Sequence, residues 1–133
     1  MPSTLAFGST DSTFLLAHAR QTATTEDWDA FTSALDASHG QVKRLLVFTA
    51  GASIDARQRE QVEGILKRGK LRVSVLTTSR LVRGAVTALS WFNIPIKAFV
   101  PSDVNRALDH IRVPDNERPS VLTKLDEIKA RVI

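Results

Sequence analysis

Cysteine is absent from the 133 residues, which excludes disulfides, thiolate metal ligands and a cysteine nucleophile together. Aromatic residues make up 6% and tyrosine is missing, so the chain lacks the series of stacking side chains that reads single-stranded nucleic acid. No stretch approaches the roughly 18 apolar residues of a membrane span, and residues 1–6 show no basic region followed by an apolar run. These absences place the chain in the cytoplasm, as an expectation. No P-loop, no G-x-G-x-x-G and no G-x-S-x-G occurs, and Gly51 and Gly84 stand alone. Histidine is scarce as well, with only His18, His39 and His110, and none of them has the close spacing of a metal-binding pair.

What is present describes an ordinary folded domain. Hydrophobic residues make up 43% and charged residues 24%, and the length suits a single core that needs no covalent staples. The net charge is +4, from 18 basic and 14 acidic residues, which favours anionic partners weakly. The basic residues, among them Lys43, Arg44, Arg57, Arg59, Lys67, Arg68, Lys70 and Arg72, read as spread along the chain with no nucleic-acid-reading motif, which argues against a DNA or RNA partner.

Residues 4–7 and 13–19 are short apolar segments around a Gly8-Ser9-Thr10-Asp11-Ser12 turn, the pattern of a hairpin. Thr24 or Thr25 then caps a helix with Glu26 and Asp27 in its first turn and Trp28, Phe31 and Leu35 at helical spacing, with Gly40 as a stop. The unbroken run Leu45-Leu46-Val47-Phe48 predicts a central strand covered on both faces. Asp55 and Gln58 resemble a capping box for a helix carrying Val62, Ile65 and Leu66 and ending at Gly69. Leu71, Val73 and Val75 alternate as a strand. Residues 80–92 carry a wide apolar stripe of Leu81, Val82, Ala85, Val86, Leu89 and Phe92, which predicts a deeply packed helix. Residues 94–100 form the last strand, and Pro95 marks an edge position or a first residue. A short helix with Val104, Ala107, Leu108 and Ile111 follows, then a polar linker and a final helix with Val121, Leu125, Ile128 and Val132, suited to docking on the domain or on another subunit. The expected fold class is therefore α/β with a mixed, mostly parallel sheet of four or five strands, organised as a domain over residues 1–112 and a linker with a C-terminal helix over 113–133.

No acid and base pair is visible in the carboxylates and histidines, so the reading is non-enzymatic, with no catalytic residue, no metal ligand and no cofactor. His18 reads as a core or surface imidazole, His39 as a C-terminal dipole partner and His110 as solvent-facing. Two turns between a strand and a helix are the candidate sites, because α/β proteins bind ligands at the carboxyl ends of their strands. In the first, Ser53 precedes a helix start, where an added phosphate would meet free amides; Arg57 lies on the following turn. The competing reading makes Ser53 a helper of the Asp55 cap. In the second, Thr77, Thr78, Ser79, Arg80 and Arg83 could hold a phosphate or carboxylate, or Ser79 is simply an N-cap and the arginines a solvated face. Trp91 and Phe92 read as core.

The stretch Ser79-Arg80-Leu81-Val82-Arg83-Gly84-Ala85-Val86, continuing through Leu89-Ser90-Trp91-Phe92 to Ile96-Lys97-Ala98-Phe99, together with Asp55-Ala56-Arg57-Gln58-Arg59, resembles the STAS-like proteins. That group is related to bacterial anti-sigma-factor antagonists and shares an architecture with CRAL-TRIO lipid-binding domains. The resemblance spans roughly residues 4–112. It implies helices packed largely on one side of the sheet and a regulatory role in partner switching. It also implies phosphorylation of a serine or threonine after the central strand, for which Ser53 is the nearest residue; this chain reads Ala52-Ser53-Ile54-Asp55 where the family has aspartate, serine and glycine. The expected partner is a protein, with an anionic small molecule or lipid head group as the alternative, and self-association through the last helix or the edge strand would give a homodimer.

Overall fold

The computed structural model describes residues 4–51 and 54–132. A hairpin of β1 (Leu5–Ser9) and β2 (Thr13–His18) is closed by the Thr10 N–H donating to the Thr13 carbonyl at 2.9 Å. It is followed by α1 (Thr25–Ala37), β3 (Arg44–Thr49), α2 (Ala56–Gly69), β4 (Arg72–Leu76), α3 (Arg80–Ser90), β5 (Ile96–Phe99), α4 (Val104–His110) and α5 (Arg118–Lys129). The five strands form one sheet in the order β1-β2-β3-β4-β5, with β1 antiparallel to β2 and every other neighbour parallel.

The helix starts follow from local chemistry. The Thr24 hydroxyl accepts from the Asp27 N–H at 3.1 Å, and Asp55 and Gln58 form a reciprocal capping box at 2.8 and 3.0 Å. The α2 stop differs from expectation: the left-handed residue is Lys70, at φ 53°, so Gly69 is the last helical residue and not the terminator.

Alternation along the strands divides the core in two. Phe14, Leu16, Leu45, Val73 and Val75 face α1, α2 and α3, where Trp28, Phe31, Leu35, Ile65, Leu66, Val86 and Leu89 join them. Leu15, Ala17, Leu46 and Leu76 face α4 and α5 and meet Ala107, Leu108, Ile111, Val121, Leu125 and Ile128. Helices therefore cover both faces, three on one and two on the other, which corrects the expectation of helices largely on one side. The reason lies in the strands: β2 is buried at every position, and so two-sided a sheet needs a second apolar cover, which the chain supplies when it returns after β5. Arg44 and Ser12 anchor that return, since Ser12 donates to Glu117 at 3.0 Å and the Arg44 Nε–H donates to the Ile111 carbonyl at 2.9 Å.

The largest departure concerns α3. Only Val86 and Leu89 are buried in it, while Leu81 is 67% exposed; Trp91 and Phe92, read as core, are 76% and 54% exposed. The helix lies over β5, the edge of the sheet, and no further strand and helix unit follows on that side to cover its outer flank. His110 is also not simply solvent-facing, because it is half-buried with Nε2 3.2 Å from the Pro95 carbonyl and its ring 5.9 Å from that of Phe99.

Candidate functional site: the carboxyl rim of the sheet

Three neighbouring strands end on polar residues that share the α1–α3 face. His18 is in register with Thr49, and Thr77 follows Leu76, the partner of Phe48, so His18, Thr49 and Thr77 lie side by side across β2, β3 and β4. All three are buried. Each hydroxyl closes a turn: Thr49 Oγ1 accepts from the Gly51 N–H at 3.2 Å, and Thr77 Oγ1 accepts from the Ser79 N–H at 3.0 Å. Ser79 Oγ in turn accepts from the Val82 N–H at 3.2 Å and caps α3.

His18 differs from its neighbours. Its Nδ1 lies 2.8 Å from the Ala19 carbonyl, which can only accept, so that nitrogen carries the proton; Nε2 is buried without a partner among the described residues. Burial pushes its pKa below the usual histidine value, more strongly than the Ala19 contact raises it, so the ring is neutral near pH 7. Its partner is a carbonyl and not a carboxylate, so the pair lacks the orienting acid of a hydrolytic triad.

The two sequence-predicted turns meet. Gly51 sits at φ +121°, a conformation open to glycine, and a Cβ there would lie 3.8 Å from that of Ser79. The β3–α2 and β4–α3 exits are thus in contact on one rim. Ser53 lies outside the described residues. Arg57, Thr78, Arg80 and Arg83 are exposed, whereas Thr77 is buried and Ser79 serves the cap, so the Thr77 and Ser79 hydroxyls are occupied by their own backbone.

Arg83 belongs to a different surface. With Lys97 of β5 and Arg106 of α4 it lines an open cleft of about 400 Å³ along the sheet edge, floored by Val86 and Phe99; Asp103 sits 3.6 Å from Arg106. Arg80 and the 77–79 turn do not line it. Sequence reasoning missed Lys97 and Arg106 because they converge from separate elements, and it missed the row from His18 to Thr77 because strand register is not visible in a single chain.

Among the described residues no group of three His, Asp or Glu could hold a metal ion, and no helix is long and apolar enough to cross a membrane. The arrangement defines an α/β domain with a five-stranded mixed, mostly parallel sheet. No protein-family profile, no curated protein and no solved structure matches the chain.

Proposed function

We propose that this chain is a non-enzymatic regulatory module of the STAS-like type, engaging a protein partner at the rim where the β3–α2 and β4–α3 turns meet. The observation that carries the reading is that a Cβ at Gly51 would lie 3.8 Å from that of Ser79, which brings two exits separated by 28 positions in sequence to one surface. Exposed Arg57, Thr78 and Arg80 lie within two residues of the starts of α2 and α3 and offer hydrogen-bond donors to a partner. Phosphorylation of Ser53 would add about two negative charges just before the start of α2, where the helix dipole and Arg57 favour them, and would reverse the local sign of the rim. The test compares affinity capture from native extract by the wild-type chain, Ser53→Asp and Ser53→Ala. A specific protein whose recovery changes at least several-fold on Ser53→Asp, but not on Ser53→Ala, supports the reading; recovery of no specific protein by any of the three overturns it.

A second reading has its own observation. Arg83, Lys97 and Arg106 face one cleft from three elements, an arrangement suited to a small polyanion. Thermal shift with inorganic pyrophosphate checks it: saturating ligand should raise the melting temperature, by about 2.7 kcal/mol of stabilisation at a hundredfold excess over the dissociation constant, and Arg83→Ala should abolish the shift.

A further inference from the structure

The basic charge of this chain is not spread evenly once it is counted by region. Residues 64–102 hold seven basic side chains and no acidic one, while the other 94 residues hold 11 basic and 14 acidic. Among the described residues, the three large hydrophobic residues that stand exposed, Leu81, Trp91 and Phe92, all fall inside that same acid-free segment. Along α3 and the turn that follows it, Leu81, Ala85, Ala88 and Phe92 recur at helical spacing and form a second apolar stripe, rotated about a quarter turn from the buried Val86 and Leu89. Trp91 widens it at the carboxyl end. Gly84 lies within the exposed arc, and a Cβ there would meet nothing within 4 Å, so the flank is open.

Cations border the stripe. Arg80 is exposed on α3 and makes no ion pair among the described residues, whereas Arg83 lies about half a turn round the helix from Leu81 and Phe92, on the side of the Lys97 and Arg106 cleft. Lys67 reaches across from α2 with its ammonium 5.5 Å from the centre of the Phe92 ring, although it also pairs with Glu63 at 2.9 Å; Lys70, one turn further, is exposed. Other cations of the segment point elsewhere: Arg68 pairs with Asp36, and Arg72 bonds the His110 carbonyl on the opposite face.

We infer that α3 docks on an anionic lipid surface, with Leu81, Trp91 and Phe92 inserted at the head-group boundary and Arg80, Lys67 and Lys70 against the lipid phosphates. Charge complementarity selects this occupant. A second copy of the chain would bring basic flank against basic flank. A folded protein partner is fixed in register by charges of both signs and paired hydrogen bonds, and beside this stripe Glu63 is already paired with Lys67 while Arg80 and Lys70 make no ion pair among the described residues. A fluid anionic bilayer requires just what is present, apolar anchors including an interfacial tryptophan inside a basic border. The stripe from Leu81 to Phe92 runs about 16 Å along the helix, so α3 would lie flat on the surface. Trp91 and Phe92 sit at the end of α3 away from the rim, so Phe92→Ser separates this surface from the partner reading above, which shares Arg80 with it.

The chain contains two tryptophans, and Trp28 is buried, so a change in emission on binding reports Trp91. The full chain is mixed with phosphatidylcholine vesicles containing phosphatidylserine, and with phosphatidylcholine vesicles alone, and both sedimentation and tryptophan emission are followed. Co-sedimentation with the anionic vesicles and a blue shift are expected, weakened by salt. Arg80→Ser with Lys67→Ser should weaken binding about 30-fold, at the usual contribution per basic residue near such a surface. Phe92→Ser with Leu81→Ser should remove binding while the far-ultraviolet circular dichroism stays as in wild type, since both positions are exposed. Absence of sedimentation and shift, equal binding to neutral vesicles, or undiminished binding by either double variant overturns the inference. So does an equal shift with soluble polyglutamate or single-stranded DNA, which would assign the flank to an acidic protein or to nucleic acid.

Discussion

Two leucines on one helix, Leu81 and Leu89, allow the orientation of α3 to be tested by the same substitution. Leu89 is 7% exposed and Leu81 67% exposed. Leucine to alanine removes three carbons, worth about 2.4 kcal/mol of transfer free energy when fully buried. At Leu89 nearly all of that is lost, and the space left between α3 and the sheet adds a cavity cost, so Leu89→Ala should destabilise by about 3 kcal/mol. At Leu81 only a third of the surface leaves water, no closed cavity forms, and alanine is the better helix former by a few tenths of a kcal/mol, so the net cost should be about 0.5 kcal/mol. Because residue type and helix are shared, the difference of about 2.5 kcal/mol isolates burial. Urea unfolding followed by circular dichroism reads it as a shift in midpoint at constant slope. Equal destabilisation by the two variants would mean that α3 is rotated about its axis or covered on its outer flank, and the exposed stripe on which the lipid-surface inference stands would be gone.

Two further outcomes follow from the buried groups. Burial lowers the folded-state pKa of His18 and of His110, so the unfolded chain takes up protons that the folded chain refuses; stability should be full above about pH 6.5 and decline as pH falls through that value, with His18→Gln flattening part of the decline in urea midpoints measured from about pH 8 to about pH 5. A midpoint rising with acidity across that window would refute the assignment of His18 as a buried neutral ring. Ile128 is fully buried in the core shared by α5 with β1, β2 and α4, so Ile128→Ala should cost about 2–5 kcal/mol and truncation before Pro119 should abolish cooperative unfolding, whereas a truncated chain that melts like the full one would show that α5 is dispensable.

What the sequence made legible was whatever depends on near neighbours in the chain. Thr24, Asp55 with Gln58, and Ser79 cap their helices as residue type and spacing predicted, because a cap involves only residues two or three apart. The run from Leu45 to Phe48 marked a strand covered on both sides for a comparable reason, since its composition alone reports two apolar environments. Yet the same run already required cover on a second face, and α4 and α5 were the apolar helices left to supply it; the one-sided arrangement came from the resemblance, not from the residues. The α3 reading failed differently. Periodicity shows that Leu81, Ala85 and Phe92 lie together with Val82, Val86 and Leu89 on a wide apolar arc, but it cannot show how much of that arc a neighbour reaches, and at the edge strand the cover runs out partway round. Read with the acid-free composition of residues 64–102, that surplus has a physical consequence: leaving Leu81, Trp91 and Phe92 in water forgoes burial free energy that polar replacements would not forfeit, within a region where every charge has the same sign. Apolar exposure and one-signed charge arise from separate features of the chain, one from topology and one from composition, and their coincidence on α3 is what singles out this flank as a place where the protein meets something anionic.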